Sequence, residues 1–303
     1  MKIEIFKHTT VWTKVPGTPI LLPGSPEAVI SYPTYYIIKN LETGKEQRFE
    51  LDQNGPVDDF CVRADLESGE VSIEGRTQQG FYRKFVRKKN STTKPRLSFG
   101  SHKALNWSQV IDRESMVEMV PLLYAASYGY PTAKEKGPSL LKDLQGETDR
   151  LKLFIRVQDV LRAGFEGIFS PTSNAYWGYD NPSTTLKPLQ FLGTLAASIQ
   201  ALFIQEEGST LTLLPKLPLE APAGRFIDIP TSFGVVHLEW TKKKLRRLFI
   251  ESNKDAEIHL KLPDGLSRFR LRTSKSDRGR VVAGGAPLSL EKGERYYLDQ
   301  FES

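Results

Sequence analysis

The chain of 303 residues holds a single cysteine, Cys61, which excludes an intramolecular disulfide framework and fits a reducing interior. It has only four histidines, His8, His102, His237 and His259, scattered without metal-ligand spacing to each other or to Cys61. Long apolar runs are also missing. No window approaches the roughly 18 uninterrupted apolar residues of a membrane span, so no membrane partner is expected. The opening Met1–Lys7 alternates polar and apolar residues like a strand and has no signal-peptide apolar core. These absences predict a cytoplasmic protein. No phosphate-cradling glycine loop opens a helix, since Gly284-Gly285 sits among strands. No cofactor and no metal are expected.

What is present describes an ordinary globular protein: 39% hydrophobic and 26% charged residues. Its length suits two or three packed units rather than one. The formal charge of +6 is unevenly placed, because residues 241–303 carry 15 Lys/Arg against 9 Asp/Glu. A basic face of this kind attracts anionic polymers or phosphorylated ligands.

The spacing predicts an α+β multidomain chain in three parts. Residues 1–99 read as an N-terminal antiparallel β-sandwich. Ile3, Ile5, Tyr35, Ile37, Phe49, Leu51, Phe60, Val62, Val71 and Ile73 alternate with other residues, and turns such as Pro16-Gly17, Pro23-Gly24 and Asn54-Gly55-Pro56 separate them. Residues 100–208 read as a helical domain. Ser115-Met116-Val117-Glu118 forms a capping box, with Pro121 expected to bend or break the helix that follows. Leu151, Phe154, Ile155 and Leu161 make one helical stripe. A stronger one runs through Leu189, Leu192, Leu195, Ala196, Ile199, Leu202 and Phe203 and stops at Gly208.

Residues 209–303 read as a C-terminal antiparallel β-sandwich. Ile258, Leu260 and Leu262 precede a Pro263-Asp264-Gly265 turn, and Phe269 and Leu271 follow on the expected partner strand of a hairpin. Period-two geometry puts Glu257, His259 and Lys261 on one face, and Arg268, Arg270 and Arg272 on one face. Arg278 and Arg280 lie just beyond.

The stretch 186–252 carries a resemblance. Pro188, Gln190 and Gly193 match the Pro-x-Gln-Ile-Asp-Gly opening of a helix in glycoside hydrolase family 95, the inverting α-L-fucosidases. Leu213, Leu214, Pro215, Leu217 and Pro218 match its Leu-Leu-Pro-x-Leu-Pro crossing, and Glu239-Trp240, Lys244-Leu245 and Ser252 match the strands after it. The resemblance implies the end of a helical barrel followed by a terminal β-sandwich. With roughly 100 residues between the β segments, at most a partial α/α barrel of about four to six helices is expected. The family's Asp, which helps activate the attacking water, falls at Leu192. Leucine cannot accept a proton, so the resemblance implies a glycoside-hydrolase-like protein that has lost its hydrolytic centre and retains glycan binding. Any enzymatic activity would be glycoside hydrolysis.

The candidate sugar site is an aromatic loop in which Tyr176, Trp177 and Tyr179 stack on sugar rings while Asp180 and Asn181 bond hydroxyls. Trp107 and His102 at the junction of the first two parts complete it, and Glu166 and Asp180 flank the loop as candidate acid/base carboxylates. A different class of function uses Arg268, Arg270, Arg272, Arg278, Arg280 and Lys242–Lys244. These would make a non-catalytic module for an anionic partner, either nucleic acid or a phosphorylated ligand.

Overall fold

The computed structural model describes residues 2–5, 9–66, 68–87, 94–99, 120–130, 132, 188–218, 221–274 and 276–303. Contacts divide the chain into two compact units, one of residues 1–92 with 102–197 and one of residues 93–101 with 198–303.

The first unit holds two antiparallel sheets. Strands β1 (Lys2–Ile5), β2 (Thr9–Thr13), β7 (Asp58–Asp65), β8 (Val71–Thr77) and β9 (Gly80–Arg87) form one, in that order. Strands β3 (Pro19–Leu21), β4 (Glu27–Ser31), β5 (Tyr35–Asn40) and β6 (Glu46–Glu50) form the other. Ile20, Val29 and Tyr36 from the smaller sheet meet Val62, Ala64 and Ile73 from the larger in one apolar cluster. That is the layered burial a sandwich requires. The alternation in β5 runs one residue out of step with the expectation: Tyr36 is buried and stacks on Phe49 at 5.0 Å, whereas Tyr35 faces outward under Arg48. A short helix, α1 (Val120–Ser127), begins one residue before Pro121. Pro121 therefore lies in the first turn, where its missing N–H costs nothing, and it starts the helix rather than breaking it. The capping box at 115–118 and the stripe of Leu151, Phe154, Ile155 and Leu161 lie outside the described residues.

The second unit contains β10 (Arg96–Phe99), β13 (Ala223–Thr231), β14 (Gly234–Thr241), β15 (Lys244–Ser252), β17 (Arg268–Arg272), β18 (Arg280–Ala283) and β20 (Arg295–Glu302). They make a seven-stranded sheet in the order β10-β13-β14-β15-β20-β17-β18. A four-stranded sheet, β11-β12-β16-β19, contains β11 (Ile204–Glu207), β12 (Thr210–Leu213), β16 (Ala256–Lys261) and β19 (Pro287–Leu290). Helix α2 (Pro188–Phe203), whose residues up to 197 fall in the first unit, runs directly into β11.

Three expectations are corrected. The partial α/α barrel is contradicted, because the described residues are 54% strand and their only helices are α1 and α2. The leucine stripe of α2 is real, with Leu189, Leu192, Leu195 and Ile199 buried. A stripe shows which face is covered, not what covers it. At the end of α2 the cover is a sheet: Phe203 stacks on Trp240 at 5.2 Å and meets Phe226 edge-on at 5.9 Å. The helix also stops at Phe203 rather than at Gly208, since residues 204–207 pair with β12. Secondly, β12 and β16 run parallel, so the C-terminal part is not wholly antiparallel. Thirdly, β16 and β17 do not form a hairpin. The Pro263-Asp264-Gly265 turn, with Gly265 at φ 80°, sends the chain from the four-stranded sheet into the seven-stranded one.

Candidate binding face of the seven-stranded sheet

Strict alternation fixes which side chains leave the core of this sheet. On β14, Val236, Leu238 and Trp240 are buried and Val235, His237 and Glu239 face out. On β15, Leu248 and Ile250 are buried and Phe249 and Glu251 face out; on β20, Tyr296 and Leu298 are buried and Tyr297 and Asp299 face out. On β17, Phe269 and Leu271 are buried and Arg268, Arg270 and Arg272 face out.

Register then assembles a row that no single segment encodes. His237 lies opposite Phe249, Phe249 opposite Tyr297, and Tyr297 opposite Arg272. The ring centroids are 5.1 Å apart between His237 and Phe249 and 4.9 Å between Phe249 and Tyr297, tilted by 58° and 55°. All three rings are half-buried. Beside the row, Arg270 makes a two-pronged pair with Asp299 at 2.8 and 3.0 Å, and Arg272 donates to the same carboxylate. These guanidinium bonds hold the Asp299 carboxyl below its usual range.

At the other end of the row, an irregularity in β13 between Phe226 and Ile229 turns Asp228 to φ 57°. Its backbone N–H donates to His237 Nδ1 at 3.4 Å. Burial pushes the His237 pKa down, against the opposing pull of Asp228 and Glu251. The Asp228 carboxylate itself is 4.0 Å away, so we take the imidazole as neutral, its Nδ1 accepting the amide.

The remaining charges on this face are matched. Glu239 lies between Arg225 at 3.8 Å and Arg247 at 3.6 Å, Glu251 pairs with Arg295 at 3.4 Å, and Glu302 pairs with Arg268 at 2.9 Å. Exposed pairs of this kind contribute roughly 0–1 kcal/mol each. Their main effect is to cancel charge. Around the row His237–Phe249–Tyr297 the face is close to neutral and rich in paired donors and acceptors.

Of the anion-binding arginines expected from the sequence, Arg268, Arg270 and Arg272 therefore share a face, as period two requires, and each has a carboxylate partner. Arg280 lies opposite Leu271 in the ladder, on the register position of the other face, and Arg278 sits exposed in the preceding loop. The arginine row does not continue into them. His102, Trp107, Glu166, Tyr176, Trp177, Tyr179, Asp180 and Asn181 lie outside the described residues. Leu192 is 2% exposed. His237, Phe249, Tyr297 and Asp299 were not singled out by sequence. The burial pattern of β14, β15 and β20 turns them outward, and the pairing of β20 with β15 makes them neighbours.

Other chemistry-bearing groups are less suited to a site. A cleft of about 380 Å3 opens beside β16, where His259 Nδ1 lies 3.1 Å from the Gly285 carbonyl and Lys261 lines the wall. No carboxylate among the described residues lines it, so paired-carboxylate chemistry has no place there. In the first unit, buried Glu74 is closed off by Arg63 at 3.3 Å, Arg83 at 2.8 Å and Ser72 at 3.1 Å. Burial raises the pKa of the Cys61 thiol, which makes it a poor nucleophile. No group of three His, Cys, Asp or Glu side chains among the described residues could hold a metal ion. Likewise no described helix is long and apolar enough to cross a membrane.

The chain matches no protein-family model, and no curated protein matches it.

Proposed function

We propose that this protein binds carbohydrate without hydrolysing it, on the outward face of the seven-stranded sheet. The observation that carries the reading is the half-exposed row His237–Phe249–Tyr297 ending against the Arg270–Asp299–Arg272 cluster. A sugar ring offers an apolar C–H face and a rim of hydroxyls. Aromatic rings supply the flat apolar area, and a fixed guanidinium–carboxylate pair supplies donors and acceptors at set positions. Around the aromatic row, the matched charges suit neutral, hydroxyl-rich sugar rings better than a run of phosphates. Asp299 and Glu302 pair with three of the five arginines on which an anionic partner would rely and offset two of their three charges. The resemblance of residues 186–252 to a glycosidase terminus supports the same partner class, and Leu192, buried where that family carries an Asp, supports the absence of hydrolysis.

The test is a panel of neutral oligosaccharides and aryl glycosides against the full chain. Binding is expected to at least one oligosaccharide, with Tyr297→Ala or Phe249→Ala weakening it about tenfold or more while circular dichroism stays unchanged. Binding that survives both substitutions, or no binding at all, would overturn the reading. Robust turnover of an aryl glycoside would overturn its non-catalytic half.

A further inference from the structure

The two-residue loop joining β14 to β15 is Lys242-Lys243, with φ values of 51° and 60°. Positive φ at both central positions is what a type I′ hairpin demands, and asparagine followed by glycine meets that demand at least cost. A side chain with a Cβ is strained there. Two consecutive lysines in this conformation are thus a poor local choice for the turn. Their side chains are exposed, as are Lys244 and Arg246, and these four cations make no ion pair among the described residues. Arg225 and Arg247 add two more at the same end of the sheet, where Glu239 lies between them.

The face described above is therefore graded. Around Phe249 and Tyr297 the charges are matched, whereas the hairpin tip is strongly positive. From His237 to Thr241 is four residues of strand, roughly 13 Å. We infer that the lysine-tipped β14–β15 hairpin selects acidic polysaccharide, seating the anionic substituents of a chain whose neutral rings stack on the aromatic row. This rests on the carbohydrate reading above. Uronate carboxylates and sulfate esters share the chemistry the tip recognises. A nucleic-acid strand fits less well: it carries a phosphate at every step, which would meet Asp228, Glu251 and Asp299 along the row, whereas a polysaccharide in which charged and neutral rings alternate can set a neutral ring there.

The test uses the full chain and four probes of similar length: a neutral oligosaccharide, a uronic-acid oligosaccharide, a sulfated oligosaccharide and a single-stranded oligonucleotide. At low salt at least one acidic sugar is expected to bind about tenfold or more tighter than the neutral one, with an advantage that shrinks as salt rises. The double variant Lys242→Asn, Lys243→Gly keeps the turn and is expected to melt at a higher temperature, because the strained residues are gone. It should lose the preference for acidic sugar while binding the neutral one unchanged. Acidic and neutral sugars binding equally would overturn the inference and leave the carbohydrate reading standing. Failure of every saccharide would overturn both. Tighter binding of the oligonucleotide than of either acidic sugar would show that the tip serves a different class of partner.

Discussion

Gly224 is the position at which the smallest substitution should do the most damage. It lies in β13 opposite Trp240 of β14 and Phe99 of β10. A Cβ added there would fall 2.7 Å from Trp240 Cη2, closer still to Cζ2, and 2.8 Å from the Ser98 carbonyl oxygen. Carbon–carbon contacts are comfortable only from about 3.5 Å, so the indole must retreat by about 0.8 Å or more. It has nowhere to go. Trp240 is fully buried, stacks on Phe203 at 5.2 Å, and donates from Nε1 to the Ala221 carbonyl at 3.0 Å. Overpacking a tight core costs about 1–3 kcal/mol, and a displaced indole that loses its hydrogen bond adds about 1 kcal/mol. The entropic gain of replacing glycine offsets roughly 0.5 kcal/mol. Gly224→Ala is therefore expected to destabilise by about 1.5–3.5 kcal/mol, a fall in melting temperature on the order of 10 °C. Chemical and thermal denaturation followed by tryptophan fluorescence and circular dichroism would measure it. Adding Trp240→Phe removes the ring edge that the new methyl strikes, so the double variant should be less unstable than the sum of the singles by about 1 kcal/mol or more. A single variant that melts within 2 °C of the parent, or strict additivity, would refute the reasoning.

Three further outcomes follow from the same geometry. Asp299→Asn leaves Arg270 and Arg272 half-buried without their shared carboxylate, and should cost about 1–3 kcal/mol in urea unfolding and abolish saccharide binding. His237 has a folded pKa below its unfolded value near 6.5. Protonation therefore favours the unfolded chain: its contribution is complete above pH ~7 and is lost as pH falls through 6.5 toward the folded pKa. His237→Phe should flatten that part of the melting-temperature profile, and a parent protein that grows more stable on acidification from pH 7 to ~5.5 would contradict the assignment. Leu192→Asp places a carboxylate at a position 2% exposed, so it should cost several kcal/mol and yield no hydrolysis of aryl glycosides.

Period two and period 3.6 were legible wherever one face is apolar and the other is not. The alternation of Arg268, Phe269, Arg270, Leu271 and Arg272 gave the correct inward and outward sets for β17. The apolar stripe of α2 did the same. Alternation failed in β5, where Tyr35, Tyr36, Ile37 and Ile38 are apolar on both faces and register is set instead by the Tyr36–Phe49 stack. Partnership was not legible at all. Nothing local announces that β17 pairs with β20 rather than β16, because the bonds that decide it join residues such as Arg270 and Asp299, 29 positions apart. The aromatic row shares this obscurity: His237 and Phe249 come from a hairpin, but Tyr297 enters from a strand 48 residues beyond Phe249. Ion-pair matching is hidden for the same reason, so a sequence count of arginines overstates the charge that the folded sheet presents.

The central claim is that the outward face of the seven-stranded sheet holds carbohydrate, and mapping the bound state tests it most directly. Backbone amide shifts of the 34.2 kDa chain, followed by NMR during titration with the tightest-binding oligosaccharide, report where the ligand sits. The account predicts perturbations concentrated at 235–241, 249–251 and 295–299. Saturable shifts confined to residues 170–182, or to the cleft around His259 and Gly285, would contradict it.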